Sequence, residues 1–283
     1  MEYLLPELLT QSAIRYPERI AISLEQNQIS YKELDKLSNQ LANKLIENNV
    51  KRGDRVAIFS QKTLEFIVAI FGVLKANSVY VPIDIRYPQK RVEQILQNCD
   101  IKVVITTQNQ LPKLNALNNT NLTTAILTNE SKILRENKFN VIHWSTVEQA
   151  NEAPPISINI DNDVAYILHT SGSTGIPKGV MISHLNAITF INWAYGYFKI
   201  KPEDQVANHA PFHFDLSIFD IFVTIKAGAT LNIVPPIISK FPVRLSQFII
   251  DKKITIWYSG PSALMLLLNH GLLEQKDLSN LCY

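Results

Sequence analysis

Short apolar runs alternate along this chain with longer stretches in which apolar residues recur every three or four positions. Arg55–Phe59 is of the first kind and predicts a strand. Leu64–Ala76 is of the second, with Ile67, Ile70, Phe71 and Leu74 on one side, and predicts a helix. Val79–Val81 predicts the next strand. Pro88 opens a helix through Gln97, since proline fits the first helical turn, and Val103–Thr106 is again a strand. Strands alternating with helices imply an α/β chain of mostly parallel sheets flanked by helices.

The pattern lapses twice. Gln108–Thr124 is rich in Asn, Gln and Thr and predicts a loop with a short helix; Glu152–Ile160 carries Pro154-Pro155 and predicts a linker. Beyond the linker comes the apolar run Val164–Leu168, and Ser183 stands where a cap belongs before a helix over His184–Tyr197. Strands are expected at Val206–His209, Thr230–Val234 and Thr255–Ser259. Helices are expected at Leu216–Lys226, at Val243–Asp251 and from Pro261-Ser262 onward. The sequence has no internal repeat.

Composition narrows the class. A chain of 283 residues, 46% hydrophobic and 18% charged, can bury a large core and is ordinary for a soluble globular protein. A net charge of +2, with lysines spread along the chain, gives no reason to expect nucleic acid or a membrane surface as partner. No apolar run reaches the length of a membrane span, and the start MEYLLPELLTQ lacks the basic-then-apolar order of a signal peptide. Cys99 and Cys282 imply no disulfide framework. The expectation is a cytoplasmic protein.

The chemistry concentrates at Thr170–Gly179, TSGSTGIPKG, directly after the Val164–Leu168 run. A strand feeding a loop of hydroxyl residues and glycines presents backbone N–H groups and hydroxyls to an anion, usually phosphate. Lys178 adds a charge that can follow phosphate as it moves. The Walker loop differs, because its lysine directly follows the last glycine; here Ile176 and Pro177 intervene, and an apolar run, Val180-Met181-Ile182, follows before any helix. On residue types alone, a Gly/Ser surface turn beside an exposed lysine is the simpler reading. The full string YILHTSGSTGIPKGVMISH resembles the signature of the adenylate-forming enzymes: acyl and aryl ligases and the amino-acid adenylation domains of nonribosomal peptide synthesis.

That resemblance covers nearly the whole chain. Ile29-Ser30-Tyr31-Lys32-Glu33-Leu34 looks like the family's early strand-to-helix segment, and Leu74-Lys75-Ala76 with Tyr80-Val81-Pro82-Ile83-Asp84 like a second core motif. There Asn77-Ser78 replaces the usual glycine pair, a departure in the scaffold rather than the chemistry. The resemblance implies ATP with Mg²⁺. A carboxylate attacks the α-phosphorus, pyrophosphate leaves, and the protein positions and neutralises charge. Thr170, Ser171, Gly172, Ser173, Thr174 and Gly175 would cradle the β- and γ-phosphates, with Thr170 and Lys178 as the catalytic pair. The sequence supplies no secure metal ligand.

A second constellation is PFHFDLSIFDIF, Pro211–Phe222. Asp215 sits there among Phe212, Phe214, Leu216, Ile218 and Phe219. An unpaired carboxylate buried among such residues needs a cation or several hydrogen bonds; equally, Asp215 stands where an N-cap belongs. Physics leaves the two open, and a capping acid can also meet a substrate. Phe214-Asp215-Leu216-Ser217 matches the family's Phe-Asp-x-Ser, whose aspartate pairs with the α-ammonium of an amino acid, which implies a substrate role. Phe219 lies one helical turn on, and Tyr258 ends the Thr255–Ser259 run. From the residues alone both are core. The resemblance places Asp215, Leu216, Phe219 and Tyr258 on a narrow apolar pocket for a small uncharged side chain or ring, most like the stand-alone ligases that load L-proline onto the phosphopantetheine arm of a carrier protein. His209 and His213 flank Pro211, and His169 and His184 bracket the loop; structural roles are the simpler expectation for all four. Asp220, Trp193 and Tyr195 carry no functional argument.

The family carries more beyond this point: the adenine and ribose contacts and a small mobile C-terminal domain with a further lysine. The expectation is therefore a partial N-terminal adenylation domain over 1–283 that binds nucleotide weakly alone. Two alternatives stand beside amino-acid activation: a coenzyme A–forming acyl or aryl ligase, and a non-catalytic nucleotide-binding fragment.

Overall fold

Strands of two to seven residues pair into two sheets. A computed structural model describes residues 2–129, 137–170, 177–275 and 277–282. In chain order the strands are β1 (Ile20–Leu24), β2 (Asn27–Ser30), β3 (Arg55–Phe59), β4 (Val79–Pro82), β5 (Val103–Thr106), β6 (Thr124–Leu127), β7 (Asn140–His143), β8 (Val164–Thr170), β9 (Lys178–Ser183), β10 (Gln205–Asn208), β11 (Thr230–Ile233) and β12 (Ile256–Trp257). The chain divides into two compact units: Met1–Pro6 with Asp35–Gln61 and Glu65–Asn186, and Glu7–Leu34 with Lys62–Leu64 and Ala187–Tyr283.

The first unit holds the sheet ordered β7-β6-β5-β3-β4-β8-β9, parallel except where β9 runs antiparallel to β8. β4, β5 and β6 are buried at every position, as parallel strands covered on both faces must be. Ala57, Phe59, Val81, Val104 and Leu127 join one core with Val92, Ile95 and Leu96 of the helix Gln89–Asn98. The helix Leu64–Lys75 is buried from Phe66 to Lys75, which admits a charged residue only if it is paired. Lys75 Nζ meets Asp35 Oδ1 and Asn39 Oδ1, both at 2.7 Å. Asn77 then takes the left-handed conformation (φ 61°), the Asn77 and Ser78 N–H groups return to Leu74 and Val73 carbonyls, and the Asn77 carboxamide binds Ile156 O and Ile158 N–H. The Asn-Ser departure thus closes the helix in the way a glycine would, because Asn tolerates that conformation.

The second unit holds the sheet ordered β12-β10-β11-β1-β2, parallel except for β2. Its core gathers Ala207, Val234, Leu245, Phe248, Ile249, Trp257 and Leu267. The expected helix Leu216–Lys226 is present in three pieces: an α-turn Leu216–Ile218, a π-turn Phe219–Val223 and an α-turn Thr224–Ala227. The Tyr31 hydroxyl, fully buried, donates to Ala229 O (2.6 Å) just beyond it. The expected strand Thr255–Ser259 pairs only at Ile256–Trp257, so Tyr258 lies just past its end. Cys282 N–H donates to Thr255 O (2.8 Å), and residues 281–282 carry no strand. The helix Leu5–Arg15 and the strands β1, β6 and β7 carried no clear periodicity in the sequence.

Gly228 ends the helical run with φ 73°, and a Cβ there would stand 2.3 Å from the Tyr16 ring. Gly228→Ala therefore meets both strain and a clash. It should cost about 3 kcal/mol of stability in a denaturant titration; a loss under about 0.5 kcal/mol would contradict this account of the turn.

Candidate functional site

In the first unit, β8 and β9 form a hairpin whose register sets Thr170 opposite Lys178. Both side chains are exposed at the loop end of the hairpin, where β8 ends and β9 begins. Ser171, Gly172, Ser173, Thr174 and Gly175 lie outside the described residues. Gly179 lies against β8, and a Cβ on it would come within 2.8 Å of Ile167 Cγ2 and 3.2 Å of His169 Nε2. The strand can sit this close only with glycine there. Ser183 caps the following helix, His184–Phe198, as expected: its Oγ accepts from Asn186 N–H (3.2 Å), and Asn186 Oδ1 accepts in return from the Ser183 hydroxyl (3.0 Å).

The histidines bracketing the loop are packed in. His184 is fully buried, and its Nδ1 accepts from Leu5 N–H at 3.2 Å. The neutral ring then carries its proton on Nε2, 3.3 Å from the Asn159 carboxamide nitrogen; turned over, that carboxamide would offer the proton its oxygen. His169 Nε2 lies 3.8 Å from Cys99 Sγ. Burial holds both rings down to about 4.

The second unit holds the other constellation at the carboxyl ends of β10 and β12, the edge of an α/β sheet where ligands bind. Of the segment's two acids, Asp215 is the exposed one and Asp220 the buried one. Asp215 is exposed, with Phe214 beside it half open to solvent. Asp215 Oδ1 accepts from Leu216 N–H (2.9 Å), so the capping role is present, and among the described residues Oδ2 has no partner. Ser217 faces inward and donates to Phe214 O (2.5 Å), which holds the Phe-Asp-Leu-Ser turn. Leu216 is half-buried. Phe219 is buried, its ring 4.5 Å from Tyr258 and 5.2 Å from Phe198, so the fold brings Phe219 and Tyr258 together. His213 is half-buried on the Phe214 ring (4.7 Å), and His209 lies 5.3 Å from the Trp257 ring.

The acid that is buried is Asp220, one residue beyond Phe219. Asn208 Nδ2 donates to its Oδ2 (2.8 Å), while its Oδ1 has no partner among the described residues. Lys62 Nζ donates to Asn208 O (2.7 Å) and lies 5.3 Å from the Phe212 ring centre. Burial pushes the Asp220 carboxyl up and pulls the Lys62 ammonium down, and each favours the charged form of the other. Asp220 follows an apolar run of helical period, where an acid reads as a solvent-facing residue. Lys62 is 158 positions away in the chain, so only folding reveals the pair.

The chain matches the AMP-binding enzyme family over residues 9–283. It belongs to that family. It is 34% identical over 268 residues to an L-proline–[L-prolyl-carrier protein] ligase of Pseudomonas fluorescens, covering 95% of this chain and 52% of that one. It is 35% identical over 275 residues to gramicidin S synthase 2 of Brevibacillus brevis, covering 97% of this chain and 6% of the synthase. The chain thus spans about half the length of the ligase and a small part of the synthase. Among solved structures, the nonribosomal peptide synthetase FmoA3 in its α-methyl-L-serine-AMP-bound form superposes with a TM-score of 0.82 at 27% identity, over 98% of this chain and 29% of that one. The anthranilate CoA ligase AuaEII shares the fold (TM-score 0.88, 19% identity, 99% and 55% covered). Among the described residues no helix is long and apolar enough to cross a membrane, and no three His, Cys, Asp or Glu side chains cluster as metal ligands.

The two buried rings give this fold a pH dependence. An unfolded histidine titrates near 6.5. Between about pH 6.5 and 4 the unfolded chain takes up a proton at each ring that the folded chain refuses. The stabilisation is therefore complete above that window and lost as pH falls through it, by about 1.4 kcal/mol per pH unit for each ring. Melting curves from pH 7 to 5 should fall steadily, and His184→Asn, whose carboxamide oxygen can replace Nδ1, should flatten the slope by one proton. A wild-type melting temperature constant from pH 7 to 5 would contradict this.

Proposed function

We propose that the chain is the nucleotide- and amino-acid-binding part of an ATP-dependent ligase. The ligase joins a small amino acid, L-proline, to AMP with release of pyrophosphate and passes it to the phosphopantetheine thiol of a carrier protein. The observation that carries this reading is Asp215: an exposed carboxylate with one oxygen unpartnered among the described residues, at the carboxyl edge of a parallel sheet whose Phe219 and Tyr258 pack together. Identity to a proline–carrier-protein ligase over 95% of the chain points the same way.

The roles follow from charge. Asp215 holds the substrate ammonium and leaves the substrate carboxylate free to attack the α-phosphorus. Phe219 and Tyr258 offer an apolar wall without a second charge, which suits a ring such as proline. Thr170 and Lys178, paired across the hairpin, bind phosphate oxygens, and the Lys178 ammonium neutralises charge as pyrophosphate departs. Mg²⁺ fits this donor set, because it binds through nucleotide phosphates and asks few ligands of the protein; when bound it lowers the charge that the attacking carboxylate must approach.

Pyrophosphate exchange with the complete ligase tests both charges. Asp215→Ala should lower kcat/KM for the amino acid about 100-fold, the cost of about 3 kcal/mol for an unpaired ammonium. Retention within about threefold would overturn the ammonium role and favour an acyl or aryl substrate. Lys178→Ala should lower kcat by about 100-fold while the amino-acid KM stays near wild type; a change confined to that KM would remove Lys178 from the chemical step.

A further inference from the structure

Lys62, Asn208 and Asp220 have no part in the chemistry above, yet they form a polar chain at the end of β10. Asn208 is fully buried and pairs both ways: Nδ2 donates to Ala210 O (3.1 Å) and to Asp220 Oδ2 (2.8 Å), while its backbone carbonyl accepts from Lys62 Nζ (2.7 Å). Lys62 Nζ also reaches His209 O (3.4 Å). Two members of this chain, Asp220 and Asn208, lie next to the walls of the proposed slot. Asp220 directly follows Phe219 inside the π-turn. The register Ala207↔Trp257 puts Asn208, next after Ala207, beside Tyr258, next after Trp257. A π-turn widens a helix at the expense of its regular bonding and recurs at functional sites; this one needs outside support, and Asn208 supplies it.

We propose that Lys62, Asn208 and Asp220 clamp the carboxyl end of β10 to the π-turn and so set the spacing of Phe219 and Tyr258, with Lys62 and Asp220 as positioning residues for amino-acid binding. The inference rests on the slot reading above for its functional half. A fully buried carboxylate bonded to a single carboxamide is costly unless a cation stands near it. Lys62 reaches it through Asn208 rather than by direct contact, and its bonds to two successive carbonyls fix where β10 ends. Mere packing could be met by apolar side chains of the same shape; the polar chain adds direction, because each bond fixes an angle as well as a distance.

The test uses the complete ligase in three forms: Lys62→Met, Lys62→Arg, and the double variant Lys62→Met with Asp220→Leu. The double variant replaces both charges with apolar groups of similar size and should keep its stability. Amide hydrogen exchange reads the clamp. In Lys62→Met and in the double variant, residues 207–223 should exchange about tenfold faster, with the rest of the chain unchanged; unchanged or uniformly faster exchange overturns the clamp. Pyrophosphate exchange reads the slot. The amino-acid KM should rise about tenfold while the ATP KM and kcat stay within about threefold, and Lys62→Arg, which still donates to the carbonyls, should restore most of the loss. A local gain in exchange with an unchanged amino-acid KM overturns the positioning role. If Lys62→Met does not fold, the double variant alone decides by the same two readouts. If the unaltered ligase exchanges pyrophosphate with no amino acid, the reading of function fails, and hydrogen exchange still decides the clamp.

Discussion

A parallel strand has no solvent face to spare, and that constraint governs this chain. Both faces of β4, β5 and β6 are covered, so their residues are mostly apolar. Polar groups are driven to strand ends and to the turns beyond them. Thr170 and Lys178 stand at the loop end of a hairpin; Asp215 and Tyr258 stand past the ends of β10 and β12. Several polar side chains that remain inside are tied down: Lys75 to Asp35 and Asn39, His184 to Leu5 N–H, Asp220 by one oxygen to Asn208.

The two acids of the Pro211–Phe222 segment differ in environment. Asp215 is exposed, with one oxygen unpartnered among the described residues. Asp220, five residues on, is sealed and bonded to Asn208. The same fold occurs in a ligase solved with anthranoyl-AMP at 19% identity, so the fold by itself assigns no substrate.

Most of the architecture was legible because strand and helix periods differ. Arg55–Phe59, Leu64–Lys75 and Val103–Thr106 were found where expected within a residue. β6 and β7 were missed because four-residue strands at the edge of Asn- and Thr-rich segments show no period of their own. The Thr170–Gly179 string and the Phe-Asp-Leu-Ser string were visible as local runs. Asp215 was singled out by its Phe-Asp-Leu-Ser match, whereas nothing local marked Asp220, because burial cannot be read from one residue among apolar neighbours.

The sequence by itself determined most of the elements, the family and the two motifs, since each is written in residues close together in the chain. Only the tertiary structure decided which acid is buried, that the helix after Asp215 opens into a π-turn, and that Phe219 meets Tyr258 while Lys62 reaches the end of β10. Those outcomes depend on groups 39 to 158 positions apart. Burial and pairing at such range are set by how the sheets and helices pack, and no local pattern encodes them.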